Sequence, residues 1–130
     1  MHAVNNLKIL VVDDSPQILD KMKEILAEHD YEVLTAHDGT EGFGELALGG
    51  VDIVIADLNM PRMDGLTMIE FHHKIQTEGV INIMLTSEIT PDLVERGKKV
   101  GISAWLAKPL NKEAILKTLE EVVHQIENKG

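Results

Sequence analysis

Two almost purely apolar runs, Leu7-Lys8-Ile9-Leu10-Val11-Val12 and Ile53-Val54-Ile55-Ala56, each stop abruptly at aspartate. A strand with one wet face alternates apolar and polar residues. Near-continuous apolar runs belong to strands covered on both faces, the condition met in parallel sheets sandwiched between helices. Asp13 and Asp14 after the first run, and Asp57 after the second, therefore mark strand ends. Open α/β sheets place their ligands outside those ends. If the two strands are neighbours, three carboxylates converge, and like charges that close either raise their pKa values or recruit a cation. Mg²⁺ suits the second outcome, because it prefers one or two carboxylates completed by water and phosphate oxygens.

The rest of the chain repeats the pattern. Strand-like runs near 7–13, 31–37, 52–57, 80–86 and 102–107 alternate with five helix-like segments, as in an α/β parallel sheet covered on both faces. Ser15-Pro16 supplies an N-cap and a first-turn proline for a helix over roughly 15–29, with Ile18, Leu19, Met22, Ile25 and Leu26 on one stripe. Thr90-Pro91 does the same for 91–100, and Gly101 is placed to end that helix. Asn111 caps the last helix. The third, about 65–77, offers Leu66, Met68, Ile69, Phe71 and Ile75 as apolar positions. The second, about 38–49, is expected to be short or mobile, since Gly39, Gly42, Gly44 and Gly49 interrupt it and glycine costs ~1 kcal/mol against alanine inside a helix.

At 130 residues and 14.4 kDa the chain is expected to form one domain, with its core about 7–128. No apolar stretch approaches the roughly 20 residues that span a bilayer, and residues 1–6 lack the features of a secretory signal, so a cytoplasmic location without membrane insertion is expected. Zero cysteines exclude disulfides, thiolate chemistry and zinc–cysteine sites. A net charge of -10 argues against nucleic acid, DNA included, as partner. The charge is uneven: Arg96, Lys98, Lys99, Lys108, Lys112 and Lys117 face the single acid Glu113, a local balance of +5. Such a cluster is either a solvated surface or a docking face for an acidic partner.

Several motifs carry no chemistry. Gly39-Thr40-Glu41-Gly42-Phe43-Gly44 reverses the GxGxxG order and follows the second strand, and no GxxxxGK[ST] loop exists. His72 and His73 are adjacent, so on a helix they point about 100° apart and cannot share a metal; surface histidines are expected. The strand ends differ. Thr86 closes the fourth strand and Lys108 the fifth, so acid, hydroxyl and ammonium groups end four of the five strands at one edge. That set suits phosphoryl transfer, whose transition state is stabilised by positioning and countercharge.

Val11-Val12-Asp13-Asp14, Asp57-Leu58-Asn59-Met60-Pro61-Arg62-Met63-Asp64-Gly65, Leu85-Thr86-Ser87 and Lys108-Pro109 together resemble the receiver domain of two-component response regulators, over nearly the whole chain and in order. The resemblance implies a flavodoxin-like (βα)5 fold whose five parallel strands lie in the order 2-1-3-4-5. It implies that Asp57 is the phosphoacceptor and that Asp13 and Asp14 bind Mg²⁺ with Asp57 and the carbonyl of Asn59. Thr86 then takes up the phosphoryl group in the switch, Lys108 pairs with it, and Lys108-Pro109 is a cis peptide. Such a domain is not an enzyme beyond its own phosphorylation and dephosphorylation.

With the fifth helix as the last element, no output domain is expected, and output passes through a partner. The organisation is similar to single-domain chemotaxis regulators of the CheY type, phosphorylated by a CheA-like histidine kinase and acting on an effector such as a flagellar switch component. Their signalling face, formed by the fourth helix, fifth strand and fifth helix, would here include Lys98, Lys99, Trp105 and Lys112. Asn59 and Glu88 resemble the modulating pair of those proteins. Trp105 stands where receivers commonly carry a smaller switching aromatic, and is expected to change exposure on phosphorylation. Two other functions remain open: a phosphorelay shuttle to a histidine phosphotransfer protein, and a metal-dependent aspartyl phosphatase, for which the DxD pattern around Asp57 is missing.

Overall fold

The computed structural model describes residues 7–60, 62–75 and 79–129. Its elements run β1 (Leu7–Val12), α1 (Pro16–Leu26), β2 (Tyr31–Ala36), α2 (Gly39–Leu48), β3 (Ile53–Asp57), α3 (Gly65–Ile75), β4 (Ile81–Thr86), α4 (Pro91–Lys99), β5 (Ile102–Ala107) and α5 (Lys112–Lys129). The strands form one sheet in the order β2-β1-β3-β4-β5, with every pairing parallel. This is the flavodoxin-like order expected from the resemblance.

The two apolar runs are continuous because each feeds two cores. Successive strand side chains point to opposite faces. Leu7, Ile9 and Val11 of β1 join Ile53 and Ile55 of β3 in a cluster with Met22 and Leu26 of α1 and Ile115, Leu119 and Val122 of α5. Leu10, Val12, Val54 and Ala56 go the other way, to Leu46 of α2 and Leu66, Met68 and Ile69 of α3. A polar residue at almost any of these positions would lie in one core or the other.

Helix starts follow the caps read from the sequence. Ser15 Oγ accepts from the Ile18 N–H at 3.3 Å, Thr90 Oγ1 from Leu93 at 3.3 Å, and Asn111 Oδ1 from Ala114 at 2.9 Å. Gly101, at φ 71°, follows the end of α4 as expected.

Packing adds detail to α2 and α3 and corrects the placement of His72. The helix around 38–49 is a ten-residue α2, and two of its glycines, Gly39 and Gly42, serve contact: a Cβ on Gly42 would fall 2.7 Å from Met68 Sδ and 2.9 Å from Val12 Cγ2. His72, expected on the surface, is buried at 6 % exposure, because it continues the stripe of Gly65, Met68 and Ile69 toward the sheet. Burial, then the neighbouring His73, pushes its pKa down. Phe71 and Ile75, two of the apolar positions named for this helix, fall beside that stripe and are 44 % and 69 % exposed. Position on the helix outranks residue type here. The expected extension of α3 over 76–77 lies outside the described residues.

Gly42→Ala should therefore destabilise the protein by about 1–3 kcal/mol through overpacking, whereas Gly44→Ala, whose Cβ meets open space, should stabilise it by up to ~1 kcal/mol. Urea unfolding of both variants measures the difference.

Candidate functional site

Sheet register assembles the site. Val12 pairs with Ala56, so Asp13 and Asp57 follow side by side, and Asp57 itself pairs with Leu85, one residue before Thr86. Thr86 pairs with Ala107, one residue before Lys108. Carboxylate oxygens of Asp13, Asp14 and Asp57 all lie within 4.8 Å of one another. Asp13 and Asp57 are buried, at 0 % and 2 % exposure, while Asp14 is open to solvent. Lys108 Nζ reaches between the buried pair, 3.0 Å from Asp13 Oδ2 and 3.2 Å from Asp57 Oδ1.

Backbone contacts fix these carboxylates. The Asp13 N–H donates to the Ala36 carbonyl at 3.1 Å, tying the end of β1 to the end of β2. Asp13 Oδ1 accepts from the Ser15 N–H at 2.9 Å, and Asp57 Oδ1 from the Asn59 N–H at 3.4 Å. Gly65 sits where any Cβ would strike the Asp57 carbonyl oxygen, so α3 starts directly against the acidic centre.

Burial raises the Asp57 pKa, the Asp13 carboxylate raises it further, and Lys108 with the Asn59 N–H offsets only part of this. Burial alone would depress Lys108, but its bonds to Asp13 and Asp57 and their charges outweigh it, leaving that pKa raised. One ammonium among three carboxylates leaves two negative charges unmatched. Asp13 Oδ2 is also buried without a hydrogen bond of good geometry, despite the nearby ammonium. A compact divalent cation with oxygen ligands fits both facts, and Asp13, Asp14 and Asp57 could hold it.

The remaining candidates surround this centre. Thr86 is fully buried, and its hydroxyl donates to the Glu88 carbonyl at 2.9 Å while accepting from the Glu88 N–H at 3.2 Å. Asn59 and the Glu88 side chain are exposed. Trp105 is half-buried against Gly97 of α4, where a Cβ would fall 2.8 Å from Trp105 Cζ2. The basic cluster divides. Arg96 makes a two-pronged bridge to Glu70 of α3 at 2.8 and 3.2 Å, Lys108 belongs to the acidic centre, and Lys112 pairs with Glu28 at 2.6 Å. Lys98, Lys99 and Lys117 stay exposed.

Sequence reasoning missed Asp38. It is buried at 5 % exposure, caps α2 by accepting from the Glu41 N–H at 2.8 Å, and faces Arg62 Nη1 at 3.7 Å. Its place just before a glycine that opens a helix was the available signal.

A group whose folded pKa is raised lends stability below its unfolded pKa and loses it as the pH climbs through the raised value. Asp57→Asn should therefore melt above wild type at pH 7 in metal-free buffer, and the gain should vanish as the pH falls below about 4. A variant melting lower at pH 7 would mean that Lys108 outweighs burial.

Residues 9–120 match the family described as the response regulator receiver domain. The transcriptional regulatory protein GlrR of Escherichia coli is 32 % identical over 90 % of this chain, a match that spans only 26 % of GlrR, so this chain corresponds to about a quarter of that relative. The chemotaxis protein CheY of Treponema pallidum is 30 % identical over 89 % of the chain and 82 % of its own length. Among solved structures, Vibrio cholerae chemotaxis protein CheY4 superimposes with a TM-score of 0.83 at 38 % identity, covering 90 % of this chain and 98 % of that one. With the family matched across its sheet and acidic edge alike, this chain belongs to the response regulator receiver domains.

Proposed function

We propose that this chain is a phosphoacceptor switch of a two-component system, with Asp57 as its phosphoacceptor. Receiver domains are signalling switches that hold Mg²⁺ in an acidic pocket, take a phosphoryl group from a histidine kinase and act on effectors. The observation that carries the reading for these residues is the meeting of three carboxylates with Lys108 at one sheet edge.

In this reading an Asp57 carboxylate oxygen attacks phosphorus in line and forms an acyl phosphate, while the bond from phosphorus to the donor histidine nitrogen breaks. Asp13, Asp14, Asp57 and the Asn59 carbonyl would hold Mg²⁺, which would supply countercharge to the carboxylates and phosphoryl oxygens. Lys108, already between Asp13 and Asp57, grips a phosphoryl oxygen as a flexible point charge. Asn59 and Glu88, exposed at the rim, modulate access to the site.

The switch begins at Thr86. Its hydroxyl is held by Glu88, so turning to a phosphoryl oxygen breaks the turn that leads into α4. Trp105 lies against Gly97 of α4, so displacement of that helix bears on the indole. The signal then emerges on the α4–β5–α5 face around Lys98, Lys99, Trp105 and Lys112. Likeness to the CheY proteins favours chemotaxis, with a CheA-like kinase as donor and an effector such as a flagellar switch component.

Incubation with radiolabelled acetyl phosphate and Mg²⁺ should place one hydroxylamine-labile phosphoryl group on each wild-type chain and none on Asp57→Asn; normal labelling of the variant would move the acceptor elsewhere. The double charge reversal Lys98→Glu, Lys99→Glu should leave labelling intact and weaken effector binding roughly tenfold at low salt, with the deficit shrinking as salt rises. An effector affinity indifferent to both salt and charge reversal would remove the electrostatic part of the proposal.

A further inference from the structure

The turn between β2 and α2 touches both segments that carry the proposed metal ligands, although none of its own residues is one of them. On one side, the carbonyl of Ala36 receives the Asp13 N–H at 3.1 Å. On the other, Asp38 and Gly39 meet Arg62 and Met63 of the β3–α3 loop, a few residues after Asn59. Asp38 Oδ2 faces Arg62 Nη1 at 3.7 Å, and a Cβ on Gly39 would land on the Met63 carbonyl oxygen.

That loop needs support. Arg62 adopts φ 69°, in the left-handed region that a long side chain enters at a cost of ~1 kcal/mol or more. Such a conformation persists only where its surroundings impose it. The far end of the loop is braced where Gly65 abuts the Asp57 carbonyl. The near end is braced by the Asn59 N–H on Asp57 Oδ1. Arg62 and Met63, between them, rest on the start of α2. The Arg62 side chain is 74 % exposed, so its ion pair contributes little to overall stability. A buried carboxylate and a glycine without room for a Cβ are a more exacting arrangement than helix capping alone requires, since an exposed Ser or Asn caps equally well.

We infer that Asp38 and Gly39 are positioning residues for the magnesium site: the β2–α2 turn clamps the Arg62–Met63 backbone and thereby sets the loop that presents the Asn59 carbonyl. The inference rests on the proposed function, because it assigns these residues a role toward the metal held there. It separates the cap from the clamp. Oδ1 of Asp38 serves the helix, whereas Oδ2 and the bare Cα of Gly39 serve the loop.

Isothermal titration of Mg²⁺ into four proteins tests it: wild type, Asp38→Asn, Gly39→Ala and Gly44→Ala, each with its melting temperature measured alongside. Asparagine keeps the cap and removes the charge facing Arg62, alanine at 39 pushes the Met63 carbonyl, and alanine at 44 meets open space on the same helix. Loss of an outer-shell partner commonly costs about tenfold in metal affinity. Gly39→Ala should lose about that much and Asp38→Asn about threefold, with Asp38→Asn melting close to wild type and Gly44→Ala binding as wild type does. Wild-type affinity in both Asp38→Asn and Gly39→Ala would overturn the inference, leaving a helix cap and nothing more. Equal loss in Gly44→Ala would overturn it too, by showing that any change in α2 weakens the site. Absence of Mg²⁺ binding by the wild type would instead overturn the proposed function, and the inference with it.

Discussion

Charge imbalance at the carboxyl edge of the sheet governs the rest of this molecule. Two carboxylates, Asp13 and Asp57, are almost wholly removed from water, with Asp14 beside them and a single ammonium, Lys108, between the buried pair. Burying a charge is costly unless it is paired and hydrogen-bonded. Here pairing is incomplete, so the folded protein holds an excess of negative charge in a region of low polarisability. Packing must enforce that arrangement, and the two cores on either side of β1 and β3 do so.

Such a centre is prepared to respond. Any group that alters its charge changes the balance among Asp57, Lys108 and the neighbouring strand ends. The centre connects directly to the starts of three helices: through Thr86 to the turn that precedes α4, through Gly65 to the start of α3, and through Ala36 to the turn before α2. Two contacts then tie α4 to its neighbours at a distance from the charge. Arg96 of α4 grips Glu70 of α3, and Trp105 of β5 fills the space left by Gly97 of α4. Movement of α4 therefore cannot be local, because it must carry or break a two-pronged bridge and displace an indole.

Much of this was legible in one dimension. Continuous apolar runs required a sheet covered on both faces, and the period of two divides Leu7, Ile9 and Val11 from Leu10 and Val12 without coordinates. Aspartates at the ends of those runs marked the site. Less legible were residues whose roles depend on close approach between elements distant in sequence. Gly39 and Gly42, which weaken α2 by propensity, are placed there by contact with Met63, Met68 and Val12. His72 was misjudged because a polar residue type was given more weight than its position on the buried stripe of α3. The basic cluster read as one surface is three paired side chains and an exposed remainder, since charge counted along the chain carries no information about which acids stand opposite.

By itself the sequence determined the element order, the helix caps and which polar residues end the buried strands, because these depend on periodicity and on hydrogen bonds spanning a few residues. Tertiary structure alone decided the distances among Asp13, Asp14, Asp57 and Lys108, the bracing of the Arg62 loop by Asp38 and Gly39, and the partners of Arg96 and Lys112. Those are set by strand register and by how closely helices approach one another. Both are properties of packing, which no local pattern encodes.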